Sequence, residues 1–273
     1  MKIEVLLVDQ INDKINNYDE NLNLFEANKF EAKKNEMFFM SNFNSSEETT
    51  TLLVGTNGCE TEYDFVKLGS LIGQKLDKDC EIQLTAIPDN LNMFMIEFGI
   101  MLSTYNFQNF KSNKSSEVKI DILDSEFSTE IENKVKSIFW VRDMVNFPAL
   151  TKSPDFFEHK VEELIDGLDI NLKSYDQKWI EENNMGGVIG VSQGSDRPPK
   201  FLVGEYNSKA KKQIALIGKG VLFDSGGLSL KSPAGMETMK TDMAGAATAW
   251  GIIALVAKEG LDIGLKVYTP IVE

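Results

Sequence analysis

Gly218 to Ala247 reads GKGVLFDSGGLSLKSPAGMETMKTDMAGAA. Lys219 and Lys231 stand here with Asp224 and Asp242 in a run of Gly, Ser and Met. Their neighbours are mostly small or apolar, so the four polar groups are expected to be something other than a solvated face. The flanks decide the fold. Gln213–Ile217 reads as a strand that brings Lys219 just past its end. Asp242–Lys258 is an Ala- and Gly-rich helix with Asp242 at its start, and Leu265–Ile271 is a final strand. Strands alternating with helices specify an α/β fold with a parallel or mixed sheet. Open sheets of this kind bind ligands at the carboxyl ends of their strands.

The same alternation extends back to the N-terminus. Leu172–Tyr175, Gly187–Val191 and Phe201–Glu205 are predicted strands, and Asp176–Asn183 a short helix. Before them lies a helical stretch. Thr129–Glu132 has the spacing of a capping box and opens a helix to about Asn146, which Pro148 ends. Ser153-Pro154 starts another helix, hydroxyl as cap and proline in the first turn, which Gly167 closes. The first residues give strands at Ile3–Val8 (an edge or first strand), Thr51–Val54, Glu81–Ile87 and Val118–Leu123, with helices over Tyr63–Leu76 and Asn90–Tyr105. In the second helix Leu91, Phe94, Met95, Phe98 and Leu102 recur at helical spacing. Asn21–Glu48 is polar, Asn-rich and weakly patterned, and Gln108–Ser116 is a polar loop.

Composition narrows the function classes. The net charge of −14 over 273 residues, with Arg142 and Arg197 the only arginines, disfavours a nucleic-acid partner. Cys59 and Cys80 are the only cysteines, which gives no disulfide framework and suits a reducing compartment. MKIEVLLVDQ carries too short an apolar run for a signal peptide, and no stretch approaches a membrane span. A cytoplasmic location follows by elimination.

Several motifs fail. Gly190-Val191-Ser192-Gln193-Gly194 matches the nucleophile-elbow pattern, but a histidine must follow such a serine and the only one, His159, precedes it. His159 sits among charges as an exposed helix residue, and a lone histidine excludes the H-E-x-x-H and multi-His zinc sites. Gly218-Lys219-Gly220 lacks the Ser or Thr of a phosphate loop.

The four polar residues of Gly218–Ala247 remain. Asp224 and Asp242 can offer oxygens to a hard or borderline divalent cation. Lys219 can offer nitrogen once deprotonated, which burial and a nearby cation both favour. Lys231, kept protonated and off the metal, could polarise a carbonyl and stabilise the oxyanion that develops. Ser225-Gly226-Gly227 gives a tight turn behind Asp224. The competing reading is a set of ordinary lysine–aspartate ion pairs beside a glycine-rich loop.

This segment resembles the signature of the leucine aminopeptidase family, the di-metal cytosol aminopeptidases. It carries Gly218-Lys219-Gly220, Phe223-Asp224-Ser225-Gly226-Gly227, Lys231 and Lys240-Thr241-Asp242-Met243-Ala244-Gly245-Ala246-Ala247 at the family's spacings. Val141–Asn146 with Pro148, Met185-Gly186-Gly187 and Gln193–Pro199 resemble the family's flanking segments. The resemblance implies a macro-like N-terminal α/β domain over 1–125, a helical linker over 126–167 and the first part of a metallopeptidase catalytic domain over 168–273. It implies removal of leucine-like N-terminal residues from peptides, with two divalent ions, manganese or zinc foremost. Lys219, Asp224 and Asp242 would be metal ligands, Lys231 the lysine facing the scissile carbonyl, and Met239 part of the pocket for the substrate's first side chain.

The family's second motif carries a further metal-binding Asp, a bridging Glu and the Arg that holds a bicarbonate, and it is expected beyond Glu273. The chain is therefore expected to be a truncated, N-terminal piece of a longer protein, inactive alone. The family's homo-hexamer is in doubt for such a piece. Two alternatives stand beside this: a non-catalytic binding or structural protein retaining the fold, and a nucleotide-derivative module in 1–125, for which only Val54–Gly58 offers a weak loop.

Overall fold

A computed structural model of the chain describes residues 1–9, 30–42, 49–86, 88–112 and 118–273. It divides into two compact units, Met1–Val135 and Lys136–Glu273. Both are α/β, each built on a mixed five-stranded sheet. Part of the Asn21–Glu48 stretch and of the Gln108–Ser116 loop lies outside the described residues.

In the first unit the strands are β1 (Lys2–Val8), β2 (Met37–Asn42), β3 (Thr49–Gly55), β4 (Cys80–Ala86) and β5 (Ile120–Ile122), in sheet order β2-β3-β1-β4-β5. β1 is the central strand, not an edge. It pairs in parallel with β3 and β4, and its apolar run is the signature of a strand buried on both faces. Val5 and Leu7 enter one core with Phe65, Leu68, Ile96 and Ile100. Leu6 and Val8 enter another with Phe30, Ala32 and Leu53. Helices α1 (Glu62–Lys75) and α2 (Met93–Ser103) lie over the first core. Thr61 and Asp64 close a reciprocal capping box at the start of α1. β2 pairs antiparallel with β3 inside a stretch that reads as unpatterned.

The second unit takes in most of α3 (Ser128–Asn146), then α4 (Pro154–Ile165), α5 (Gln177–Glu182) and α6 (Gly186–Ser192). Thr129 lies inside the first turn of α3, so it is not the cap that its spacing suggests. α4 begins as expected, with Ser153 Oγ accepting from the Phe156 N–H at 3.0 Å and Pro154 in the first turn. Gly187–Val191 corrects the expected strand: it is α6, begun by the Val188 and Ile189 amides donating to the Met185 carbonyl. Valine and isoleucine in so short a run leave helix and strand indistinguishable by pattern.

The strands β6 (Ile170–Tyr175), β7 (Lys200–Tyr206), β8 (Gln213–Ile217) and β10 (Gly264–Val272) take the order β6-β7-β10-β8, and the short β9 (Gly220–Val221) also pairs with β10. After the one-turn α7 (Pro233–Met236) comes α8 (Ala244–Lys258), whose small residues lie against the sheet. Trp250, fully buried, anchors it: the indole N–H donates to Thr269 Oγ1 on β10 at 2.9 Å. Among the described residues no helix is long and apolar enough to cross a membrane.

Candidate functional site

β8 and β9 share one register on β10, and the gap between them, Gly218–Lys219, faces Thr269–Pro270. Pro270 has no N–H to continue the ladder. The Lys219 carbonyl faces the start of α8, where the Ala246 N–H donates to it at 2.9 Å. Gly218 makes this approach possible, since a Cβ there would lie 2.6 Å from Ala246 Cα. Lys219 is thus fixed by its backbone at a strand break beside a helix N-terminus.

Asp242 follows the 3₁₀ turn Met239–Thr241 and precedes α8 by two residues, rather than opening the helix. Lys219 Nζ donates to its Oδ1 at 2.9 Å and lies 2.8 Å from Oδ2. Asp242 Oδ2 is buried and, despite that ionic contact, accepts no well-aligned hydrogen bond. It is an anionic oxygen with unused coordinating capacity.

The second pair is built by a glycine. Gly226 adopts φ +95°, and its N–H donates to Asp224 Oδ1 at 2.9 Å. A Cβ at Gly226 would sit 2.5 Å from the Ser229 carbonyl oxygen and 3.0 Å from the Lys231 nitrogen. Only glycine lets the chain double back so that the Lys231 N–H reaches the Ser225 carbonyl at 3.0 Å. Lys231 Nζ then donates to Asp224 Oδ2, and lies 3.3 Å from the Asp224 carbonyl oxygen and 3.2 Å from Met239 Sδ. The Lys231 hydrogen bond first, and the Gly226 amide next, hold the Asp224 carboxyl below its ordinary range; Lys219 adds a smaller pull in the same direction.

The five expected residues therefore lie on one run of backbone as two lysine–aspartate pairs, with Met239 against Lys231. The desolvation expected around Lys219 is absent, because its side chain is 61% exposed. The site opens to solvent more than its small and apolar neighbours suggest. Among the described residues no three of His, Cys, Asp and Glu gather as a metal cluster, so the amine of Lys219 would have to complete any donor set. Two carboxylates, one with a buried oxygen met only by the Lys219 ammonium, and that amine beside it suit a divalent cation.

Ser192 lies in α6, buried, with its hydroxyl donating to the Ile189 carbonyl at 3.0 Å, which removes it as a nucleophile. His159 is exposed and faces Glu162 and Glu163.

One residue behind the site has no distinctive pattern in the sequence. Lys152 is fully buried, and its ammonium donates to the Lys240 carbonyl. Burial, and to a lesser degree the Lys240 charge, pull its pKa down to about 8.

The sequence model of the cytosol aminopeptidase family, catalytic domain, matches residues 139–273. The chain belongs to the cytosol aminopeptidase family. A probable cytosol aminopeptidase 1 of Shewanella oneidensis is 30% identical over 269 residues, covering 93% of this chain and 54% of that protein. A probable cytosol aminopeptidase of Clostridium perfringens is 28% identical, covering 96% of this chain and 59% of that protein. The chain thus spans little more than half the length of these curated relatives. The cytosol aminopeptidase of Coxiella burnetii matches in structure with TM-score 0.80 at 23% identity, over 100% of this chain and 58% of that one. The bottromycin maturation enzyme BotP, solved in complex with Mn, matches with TM-score 0.83 at 21% identity, over 100% of this chain and 59% of that one. At these identities the structures speak for the α/β fold.

Proposed function

We propose that this chain carries the first part of the metal and substrate site of an aminopeptidase that releases leucine-like N-terminal residues from peptides. The observation that carries the reading is the Lys219–Asp242 pair, with the Asp242 Oδ2 buried, near enough to the Lys231–Asp224 pair for Lys219 to lower the Asp224 carboxyl. These three would hold divalent metal, manganese or zinc, with Asp224 shared between two ions. A bound ion would supply Lewis acidity and activate the hydrolytic water.

The chain's own groups do the rest. Lys231 presents an ammonium aimed by the Gly226 turn, and it would donate to the oxygen of the scissile carbonyl as charge develops there. Met239, in contact with Lys231 Nζ, would bound the pocket for the first side chain and hold the reacting group near that ammonium. Family membership supports peptide substrates and a cytoplasmic location. It also supports a homo-hexamer and a bicarbonate cofactor for the whole protein. Residues 1–125 are proposed as its macro-like N-terminal domain.

With two carboxylates and an amine as donors, the 273-residue chain by itself is expected to bind metal weakly and turn over poorly. Mn²⁺ titration by electron paramagnetic resonance should detect binding that Asp242→Asn or Lys219→Ala abolishes. Binding unaltered by both substitutions would refute the ligand assignment. Hydrolysis of a leucine anilide with added Mn²⁺, at a rate ordinary for such enzymes, would refute the inactivity of the chain alone.

A further inference from the structure

A buried lysine with no carboxylate partner is costly, because its charge is taken out of water without compensation. Among the described residues Lys152 meets no carboxylate, and its surroundings show what its ammonium holds. It sits in the turn Pro148–Ser153, where the Thr151 and Lys152 amides donate to the Pro148 carbonyl at 3.0 and 3.2 Å. Arg197 clamps that turn from outside. Its Nη1 donates to the carbonyls of Ala149 and Lys152 at 3.3 and 3.1 Å, and its Nη2 to that of Leu150 at 3.2 Å. Glu273 and Ser195 steady the guanidinium: Nη1 reaches Glu273 Oε1 at 3.2 Å, and Ser195 Oγ donates to Glu273 Oε2 at 2.9 Å.

From this clamped turn the Lys152 ammonium reaches the Lys240 carbonyl, in the middle of the Met239–Thr241 turn. Lys240 adds a second tie, its ammonium donating to the carbonyl of Asn146, at the end of α3, at 3.2 Å. One residue before Lys240 is Met239, whose sulfur meets Lys231. Two residues after it is Asp242, which meets Lys219.

We infer that Lys152 is a positioning residue for the site: it ties the Met239–Asp242 turn to the Pro148–Ser153 turn, which Arg197 holds, while Lys240 ties the same turn to the end of α3, and so it sets where Met239 and Asp242 stand. The inference rests on the reading of this loop as a metal and substrate site, but it can be tested apart from it. The lacing is itself independent of any ligand.

The test uses the full chain with ¹³C-methyl methionine, the Met239 signal being assigned through Met239→Leu. In the metal-free protein, Lys152→Met should shift or broaden the Met239 methyl resonance while leaving the melting temperature unchanged or higher. Lys152→Gln, which keeps a donor, should restore the signal. In parallel, Lys152→Met should weaken Mn²⁺ binding about tenfold, the range for lost outer-shell support. A Met239 methyl signal identical in wild type and Lys152→Met would overturn the inference. So would a lowered melting temperature whose restoration alone restores the signal. A wild type that binds no Mn²⁺ would overturn the metal reading and leave the methyl comparison to decide the positioning role.

Discussion

Replacing Lys152 with methionine should change how stability depends on pH. Methionine has nearly the same shape and carries no charge, so packing is largely conserved. In the wild type the Lys152 ammonium falls from 10.5 in the unfolded chain to about 8 in the folded one. Between those values the unfolded state holds more protons, so stability rises with pH across that window and the folded state is penalised below it. A shift of this size corresponds to at most about 3 kcal/mol. Losing the hydrogen bond to the Lys240 carbonyl costs the variant about 1 kcal/mol. Lys152→Met should therefore be more stable than wild type by about 2 kcal/mol at neutral pH. The order should invert as pH approaches 10.5. Urea denaturation followed by tryptophan fluorescence measures this cleanly, because Trp140, Trp179 and Trp250 all lie in the second unit. Cys59 and Cys80, whose thiols burial pushes up, lie in the first unit and stay out of the signal. A stability difference that stays constant from pH 7 to 10.5 would mean that Lys152 carries no burial penalty, and the reasoning would fail.

Three further substitutions probe other parts of the molecule. Gly226→Ala forces a side chain into φ +95° and against the Ser229 carbonyl; it should cost about 2 kcal/mol in urea denaturation and separate Lys231 from Asp224. Lys231→Met removes the main cause of the low Asp224 pKa, so NMR titration should show that carboxyl titrating higher, toward 3.8. Glu97, buried on α2 with Ser125 donating to it, has its pKa raised by burial. Between 4.5 and its raised folded value the folded form holds a proton that the unfolded form has released, so stability is lost as pH rises through that window. Glu97→Gln should stabilise the first unit by about 1 kcal/mol at pH 7, read by thermal unfolding.

The α/β class and most elements are legible because their signals are local. The apolar run of β1, the Ser153-Pro154 start of α4 and the periodicity of α2 each announce themselves within a dozen residues. The errors fall where the deciding interaction is remote or where local signals conflict. β2 carries the apolar run Met37–Met40, but the run is set in an Asn-rich polar stretch, and its pairing with β3 is what identifies it as a strand. Gly187–Val191 has strand-forming residues but closes its hydrogen bonds on Met185. At the candidate site the residue types and their order are written in the chain, and so is the Gly226 turn that pairs Lys231 with Asp224. The exposure of Lys219 is not: it follows from the tertiary placing of its backbone against Ala246, at the start of α8. Lys152 is also silent: a lysine between two prolines looks like any loop lysine until the Lys240 carbonyl is seen above it.

The central place of β1 has a consequence for how the chain reaches its fold. This strand is synthesised before its partners, residues 49–55 and 80–86. Until both have emerged from the ribosome, the apolar run from Val5 to Val8 has no sheet to join. Contacts between segments so far apart close slowly, and an unpaired hydrophobic strand is sticky while it waits. Folding of the first unit should thus be gated by the arrival of β4, and substitutions in β4 should slow folding more than equally destabilising ones in β2, which docks at the rim.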